Sequence, residues 1–234
     1  MIDKELVKKR FSKSLNTYED NALVQKQMGL KLINLLNKKD FNSILEIGCA
    51  SGLLTKQIKE NLNYSYLTAN DIVPEAKDFV NNLVNEFICA DVEKITLEKK
   101  YDLIISNACL QWCNDINSTV NNLLNSLNDN GVLAFTLFGE DNLKELQYLF
   151  NFQNTIQLSA KIFKEEKIKL YFNSPIDVLR HLKLTGVNAI KEHKFTKSSL
   201  KEFEKNYYEQ YSENGKVYLT YNPIYLIIKK NDTV

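Results

Sequence analysis

The chain has 234 residues, a length that fits one enlarged α/β domain or one domain with an added lid. Hydrophobic residues make up 44% of the chain, enough for a buried core, and a net charge of +1 gives no indication of steering toward nucleic acid. No apolar run reaches the roughly 18 residues of a membrane span, and the charged segment 1–14 lacks the apolar stretch of a signal peptide, so we expect a cytoplasmic protein.

In chain order, a helical pattern over 4–36 precedes the first predicted strand. From residue 43 onward, short apolar runs alternate with amphipathic segments. This alternation predicts βαβ units on a parallel, doubly wound sheet. The predicted strands are 43–47, 64–69, 87–90, 102–106 and 131–138, and the predicted helices between them are 53–62, 74–84 and 116–127.

Beyond residue 138 the alternation loosens. Here the sequence predicts helices at 142–152, 175–185 and 200–211, and strands at 167–172 and 217–230. The cysteines have no neighbouring His or Cys cluster that would complete a metal site, so we interpret them as reduced thiols and expect no metal. They are Cys49, Cys89, Cys109 and Cys113.

The strongest local motif is EIGCASG at 46–52, between the first predicted strand and a helix. Small residues there let the backbone approach a ligand, and open α/β sheets bind ligands at the carboxyl ends of their strands. Positions 48, 50 and 53 are Gly, Ala and Leu, a poor fit to the dinucleotide pattern G-x-G-x-x-G. The spacing of Glu46, Gly48, Ala50 and Gly52 instead resembles the first motif of the class I methyltransferases.

Polar residues follow the next predicted strands. Asp71 ends the second strand, where its carboxylate can accept hydrogen bonds from both ribose hydroxyls of an adenosine. Asp91 and Val92 follow the third strand and suit the adenine ring, while Asn107 and Ala108 end the fourth strand, beneath the expected sulfonium. The alternatives are that Asp71 only caps the following helix and that Asp91 is an ordinary turn residue.

Longer stretches narrow the resemblance to one family. KKRFSKSLNTYEDNALVQKQM at 8–28 and SNACLQWC at 106–113 resemble segments of the malonyl-acyl-carrier-protein O-methyltransferases of biotin synthesis. FTLFGEDNLKEL at 135–146, LRHLKLTGVNA at 179–189 and LTYNPIYL at 219–226 agree with the same family. The resemblance therefore runs from end to end, with one departure: a short connection between 150 and 167, where the family often has a longer segment.

The resemblance implies a single Rossmann-like class I methyltransferase domain with a doubly wound, mostly parallel seven-stranded sheet. Its expected parts are an N-terminal helical cover (1–40), an S-adenosylmethionine-binding core (41–150), a helical lid and substrate region (151–215) and a final strand of the sheet (216–234). S-adenosylmethionine is the implied cofactor. Its implied contacts are Glu46, Gly48, Ala50, Gly52, Asp71, Ile72, Asp91, Val92, Asn107 and Ala108.

The implied reaction is methylation of the free carboxylate of a malonyl thioester on acyl carrier protein, with malonyl-coenzyme A as another possible acceptor, to prime pimeloyl synthesis. That carboxylate is ionised at pH 7, so we expect positioning and no acid–base residue. Arg180 and Lys183 share a face of the predicted helix 175–185 and are candidate carboxylate anchors. Tyr18, Gln111 and Trp112 are the other candidates for substrate binding.

The basic stretch 161–201 would suit an acidic carrier protein, and neither nucleic acid nor membrane is an expected partner. Two alternatives stay open. One is a class I methyltransferase for another small molecule or for RNA, although 107–111 lacks the Pro-Pro-aromatic signature of base-amino methylation. The other is a non-catalytic subunit that binds S-adenosylmethionine. Turnover on malonyl-carrier protein against turnover on RNA separates these alternatives.

Overall fold

The computed structural model describes residues 2–147, 163–186 and 195–230. Two helices come first, and strands and helices then alternate. The elements up to residue 138 are α1 (Lys4–Asn21), α2 (Leu23–Asn34), β1 (Asp40–Ile47), α3 (Leu53–Asn61), β2 (Asn63–Asp71), α4 (Ala76–Val80), β3 (Glu86–Cys89), β4 (Tyr101–Asn107), α5 (Ile116–Asn125) and β5 (Leu127–Phe138). The later elements are β6 (Lys164–Glu165), β7 (Ile168–Phe172), α6 (Pro175–Leu184), α7 (Lys197–Gln210), β8 (Ser212–Glu213), β9 (Lys216–Tyr221) and β10 (Pro223–Lys229).

The described residues form a seven-stranded sheet in the order β3-β2-β1-β4-β5-β10-β6. Strands β1 to β5 run parallel, and β10 is antiparallel to both β5 and β6. The predicted doubly wound, mostly parallel sheet is confirmed. Because the strand order reverses between β1 and β4, their carboxyl ends flank the crevice in which such sheets bind ligands.

Both faces of the sheet are covered, which is why the central strands are continuous apolar runs. On one face, Ile44 and Leu103 pack with the apolar side of α2 and α3. On the other face, Leu45 and Ile104 pack with Leu123 of α5. Adjacent strand residues thus enter opposite cores, as the two-residue period of a strand requires.

The helical pattern over 4–36 is confirmed as two helices that meet at Ala22. The Asp3 carboxylate starts α1 by accepting a hydrogen bond from the backbone N–H of Leu6 at 3.0 Å. Helix α2 buries Val24 and Met28 completely against the sheet. It therefore anchors α1, which crosses the carboxyl ends of the strands.

The structure differs from two of the helix predictions. The predicted helix 74–84 is limited to α4, because Asn81 and Asn82 follow it and asparagine is a poor helix former. The predicted helix 142–152 begins as a 3₁₀ turn, Lys144–Leu146, after a left-handed Leu143. Its residues beyond 147 lie outside the described residues.

The prediction of one final strand over 217–230 was wrong. Strand β9 belongs to a separate three-stranded sheet, in the order β7-β9-β8, and only β10 joins the main sheet. The chain changes sheets at buried Asn222, whose side-chain amide donates to Glu165 Oε1 and to the backbone oxygen of Glu166, both at 2.9 Å. Pro223 follows and has no N–H to continue a ladder.

The expected lid is likewise not purely helical. Helices α6 and α7 pack with the sheet β7-β9-β8, so β9, which we had assigned to the final strand, lies with the lid elements. Within the described ranges, no helix combines the length and apolar character that a membrane crossing requires. In the same ranges, no three His, Cys, Asp or Glu side chains are grouped to hold a metal ion.

Candidate active site

A cavity opens at the carboxyl ends of β1, β2 and β4, and α1 forms its roof. The strand side contributes the loops that follow each strand, and α1 contributes one face. The lining residues are Lys4, Val7, Phe11, Tyr18, Gly48, Ala50, Asn70, Asp71, Ile72, Val73, Ala90, Asp91, Val92, Asn107, Ala108, Cys109, Trp112 and Cys113. This position is the switch point of the sheet, so the topology and the cavity indicate the same site.

The loop after β1 has the left-handed backbone that its glycines predict. Gly48 has φ +76°, Ala50 has φ +45° and Gly52, which begins α3, has φ +81°. A Cβ at Gly48 would lie 2.4 Å from the sulfur of Cys109, so this glycine also permits close packing against the loop after β4. Gly48 and Ala50 line the cavity, whereas Gly52 shapes the turn without lining it.

Asp71 lines the cavity with its carboxylate held by the backbone. Its Oδ2 accepts from the N–H of Ala50 and its Oδ1 from the N–H of Val73, each at 2.8 Å. Burial raises the pKa of Asp71, and these backbone hydrogen bonds oppose the rise. Each carboxylate oxygen keeps a second lone pair, so the group can still accept from two hydroxyls in the cavity.

Glu46 lies beneath the glycine loop and does not line the cavity. It is fully buried, and its Oε2 accepts a hydrogen bond from the Thr55 hydroxyl at 2.6 Å. Its Oε1 is buried without a partner among the described residues. Burial raises the pKa of Glu46 to about 8, which the hydrogen bond from Thr55 only partly offsets. The free oxygen is suited to an ammonium group or another donor.

Lys4 connects the roof to the third strand. Its ammonium lies 3.2 Å from Asp91 Oδ1 and 2.6 Å from Glu93 Oε2. Asp91, which we predicted to bind the adenine amino group, is therefore already paired at one oxygen. Val92 lines the cavity beside it, as does Ile72 after β2.

The end of β4 is braced by amide side chains. Asn107 donates to the backbone oxygen of Gln25 at 2.8 Å and accepts from the Thr136 hydroxyl at 2.7 Å. Ala108 follows with φ +51°. Gln111 donates to the Ala108 carbonyl at 2.7 Å and does not line the cavity, so our expectation of direct substrate contact is corrected to a bracing role.

Aromatic side chains form the wall between α1 and the loop after β4. The rings of Phe11 and Trp112 meet edge to face with their centres 5.7 Å apart, and Tyr18 also lines the cavity. The indole N–H of Trp112 is buried, with no acceptor in the part of the chain that the structure describes. A buried donor without a partner is costly, which suits a ligand acceptor at this point.

The structure does not bring Arg180 and Lys183 to the cavity. They share a face of α6, as their spacing predicts, but that face is exposed, and Arg180 pairs with Asp177. The buried face of α6 carries Val178 and Leu182 instead. We therefore correct the expectation that either basic residue holds the substrate carboxylate, because the apolar side chains direct the opposite face inward.

Sequence reasoning missed most of the roof. Lys4, Val7 and Phe11 line the cavity together with Tyr18, at spacings that repeat on one helix face. That periodicity was the available signal. Arg10 was also missed: it lies between Val7 and Phe11, and its Nη1 is buried without a partner among the described residues.

Comparisons with known proteins agree with this geometry. A family model described as "Methyltransferase domain" matches residues 45–135, which span β1 to β5. The residues present fit S-adenosylmethionine: Asp71 suits the ribose, the glycine loop permits close approach, and the unpartnered Oε1 of Glu46 suits a cation. Fold and site thus define an S-adenosylmethionine-dependent methyltransferase.

Proteins of similar sequence identify the family to which the chain belongs within this class of methyltransferases. A malonyl-[acyl-carrier protein] O-methyltransferase of Calditerrivibrio nitroreducens is 38% identical over 247 residues, covering 97% of each protein. One of Haemophilus influenzae is 33% identical over 247 residues, covering 97% of this chain and 95% of its own. The chain belongs to the malonyl-[acyl-carrier protein] O-methyltransferase family.

Solved structures show the same fold at low identity. N-methyltransferase NodS from Bradyrhizobium japonicum WM9, in complex with S-adenosyl-L-homocysteine, has a TM-score of 0.54 and 14% identity, covering 95% of this chain and 100% of its own. The YcgJ protein of Bacillus subtilis has a TM-score of 0.58 and 13% identity, covering 88% and 100%. These likenesses support the class I fold.

Proposed function

We propose that this enzyme methylates the free carboxylate of a malonyl group carried on acyl carrier protein, giving the methyl ester that primes pimeloyl synthesis for biotin. The observation that carries the proposal is the buried indole N–H of Trp112, which lines the cavity and has no acceptor among the described residues. The names of the relatives support the same acceptor.

Two buried donors favour a carboxylate. Besides Trp112 Nε1, the Nη1 of Arg10 is buried without a partner in the described ranges. Arg10 adjoins Phe11 in sequence, and the Phe11 ring contacts Trp112. Leaving the indole nitrogen unpaired costs free energy that a substrate carboxylate would recover by accepting from it. Arg10 does not itself line the cavity, so it replaces Arg180 and Lys183 only as a positive charge next to the wall, one residue before Phe11.

The chemistry needs alignment more than proton transfer. When bound, S-adenosylmethionine would supply a methyl group on a sulfonium; its transfer would form a C–O bond to the carboxylate as the C–S bond breaks and the sulfur is released as a thioether. The positive charge of the sulfonium and the negative charge of the carboxylate cancel as the new bond forms. Apolar walls such as Val7, Phe11 and Val92 therefore disfavour the charged ground state more than the transition state. The chain's task is to hold the acceptor oxygen on the line of attack.

Two thiols in the wall do not compete as methyl acceptors. Burial raises the pKa of Cys109 well above its usual value and that of Cys113 to about 11. The thiolate is the nucleophilic form of cysteine, and at pH 7 both groups stay protonated. The carboxylate of the substrate is then the available nucleophile.

The test is mass spectrometry of malonyl-carrier protein after incubation with the purified protein and S-adenosylmethionine, with RNA as the alternative acceptor. We expect one added methyl group, as an ester, on the malonyl moiety. Trp112→Phe keeps an aromatic ring but removes the N–H, and should cut turnover by about 10- to 100-fold, matching a lost hydrogen bond to a charged group. Arg10→Met should act in the same direction.

Cofactor affinity, measured by calorimetry, is the control for both variants and should stay near that of the parent. Methylation of RNA alone, or no methylation of the malonyl group, would refute the proposed function. If both variants turned over like the parent, malonyl-carrier protein would still be the methyl acceptor, but Trp112 and Arg10 would not be the residues that hold its carboxylate.

A further inference from the structure

Helix α1 has two faces that differ in character. One face lines the cavity through Lys4, Val7, Phe11 and Tyr18. The opposite side carries Lys9 and Lys13, four residues apart and both exposed, and the half-buried Lys8 lies about 100° round the helix from Lys9, at the edge of that side. We call Lys8, Lys9 and Lys13 the α1 basic face.

The lysines of the α1 basic face are not held in ion pairs within the described ranges. None of its three lysines forms an ion pair with an acid in the described residues, whereas Lys4 pairs with Asp91 and Glu93. The neighbouring acid Glu19 is itself paired with Lys56. The exposed Glu5 lies one turn before Lys9 on the same face, so the three lysines and this acid leave a net positive charge on the outside of the cavity roof.

The basic stretch 161–201, our first choice for carrier docking, is arranged differently. Lys167 pairs with Asp141, Lys169 with Glu213 and Arg180 with Asp177. Its unpaired described lysines lie on three elements: Lys164 on β6, Lys183 on α6, and the pair Lys197 and Lys201 on α7. None of these four residues lines the cavity. This region is thus partly neutralised and set apart from the cavity.

We propose that the acyl carrier protein docks on the α1 basic face, so that its malonyl-bearing arm passes the edge of α1 into the cavity. This inference rests on the proposed function. Acyl carrier proteins are acidic, and complementary charge across an interface steers encounter and fixes orientation. A docking surface on the back of the roof also keeps the path of the arm short, because the same helix turns line the cavity.

The test compares two matched pairs of charge reversals. Lys9→Glu with Lys13→Glu changes the α1 basic face. Lys197→Glu with Lys201→Glu changes α7 at the same four-residue spacing, and all four lysines are exposed. Each double variant is assayed with malonyl-carrier protein and with malonyl-pantetheine, a small acceptor without the carrier. Neither pair contains a residue placed in the cavity.

For the α1 pair we expect the KM for malonyl-carrier protein to rise about tenfold or more at low salt, as rim charges act mainly on encounter. Turnover of malonyl-pantetheine should not change. Added salt should raise the KM of the parent and narrow the difference, because it screens exposed charges. The α7 pair should resemble the parent with both acceptors.

An unchanged KM in the α1 pair, or a larger change in the α7 pair, would overturn the docking site, even if the α1 basic face bound anionic vesicles. Equal losses on both acceptors would overturn it too, because the variants would then damage the enzyme itself. Failure of the proposed function is distinguishable from all of these results, since the parent would then methylate neither malonyl acceptor.

Discussion

At the residue scale, the cavity depends on alanines in a glycine-like conformation. Ala50 and Ala108, at φ +45° and +51°, lie in the loops after β1 and β4 that flank the switch point. An L-residue in this conformation costs about 1–2 kcal/mol. Such strain persists where the surrounding structure fixes the backbone, as it does at Ala50, whose N–H donates to Asp71.

Ala50→Gly should therefore raise the free energy of unfolding by about 0.5–1 kcal/mol, the relief of strain less the added entropy of the unfolded chain. The matched control is Ala69→Gly within β2, where the backbone is an ordinary strand and the change should destabilise by about 0.5–1 kcal/mol. Urea denaturation measures both. If both variants changed the free energy of unfolding in the same direction, the backbone at Ala50 would not be strained.

A second prediction at the residue scale concerns the release of a proton from Glu46 when the cofactor binds. Its pKa of about 8 keeps it mostly protonated at pH 7 in the cofactor-free protein. A cation bound near its free Oε1 lowers that pKa, so S-adenosylmethionine binding at pH 7 should release up to about one proton. The release should vanish above pH 9, where Glu46 is already ionised, and in Glu46→Gln.

Calorimetry in two buffers of different ionisation enthalpy measures this release. A release of equal size in Glu46→Gln would assign the proton elsewhere. Two results together would show that Glu46 only supports the loop as a neutral group: no proton release when the parent binds the cofactor, and parent-like cofactor affinity in Glu46→Gln.

The sequence identified these cavity residues because their information is local. Small residues directly after a strand, and an acid at the end of the next strand, indicate the local backbone shape without knowledge of how the strands pack. Gly48, Ala50 and Asp71 could therefore be located from the sequence alone. Arg10 gave no such signal, because the burial of one guanidinium nitrogen depends on how α1 packs across the sheet.

At the element scale, α6 shows what a spacing rule leaves open. The spacing of Arg180 and Lys183 placed them on one face, but packing decides which face turns inward. Val178, His181 and Leu182 form the buried stripe and were visible in the sequence as the competing face. Within that stripe, His181 Nε2 lies 2.8 Å from the Tyr221 hydroxyl and joins α6 to β9.

The burial of His181 makes stability depend on pH. Burial lowers the pKa of His181 from its usual 6.5 to about 4. Between these values the unfolded chain binds a proton that the folded chain does not, so the unfolding free energy falls as pH drops through this window and is fully retained above 6.5. The loss should reach about 2–3 kcal/mol by pH 4.

His181→Gln keeps a polar partner for Tyr221 and cannot titrate, so it should lose less stability than the parent between pH 7 and pH 4. Thermal unfolding across that range isolates the difference, because the carboxylates titrate equally in both proteins. Parallel curves would mean that His181 is protonated in the folded state without cost.

At the whole-molecule scale, the parallel order of β1 to β5 follows from alternating strands and helices, but the division between β9 and β10 does not. VYLTYNPIYLIIKK reads as one apolar strand. The change of sheet depends on Asn222 bonding to Glu165 and Glu166, far away in sequence, and on the three-stranded sheet that pairs β9 with β7. These contacts form only when distant segments pack together, so a local sequence pattern cannot predict them.

Helix α1 covers the cavity, so its attachment to the rest of the molecule should govern how the cofactor enters and leaves. The roof is tied to the third strand by Lys4, through Asp91 and Glu93, so release of a bound nucleoside requires these ion pairs to open. Lys4→Met keeps the apolar stem and removes the charge. It should speed dissociation of S-adenosylhomocysteine by roughly 3- to 10-fold, the scale of a partly exposed ion pair.

Trp112 is the single tryptophan of the chain and lines the cavity, so its fluorescence in stopped-flow displacement reports that dissociation directly. Lys9→Met, an exposed lysine of the same helix with no ion pair in the described residues, is the control and should dissociate at the parent's rate. If Lys4→Met also matched the parent, the roof would not limit release, and the cofactor would leave past the loops after the strands.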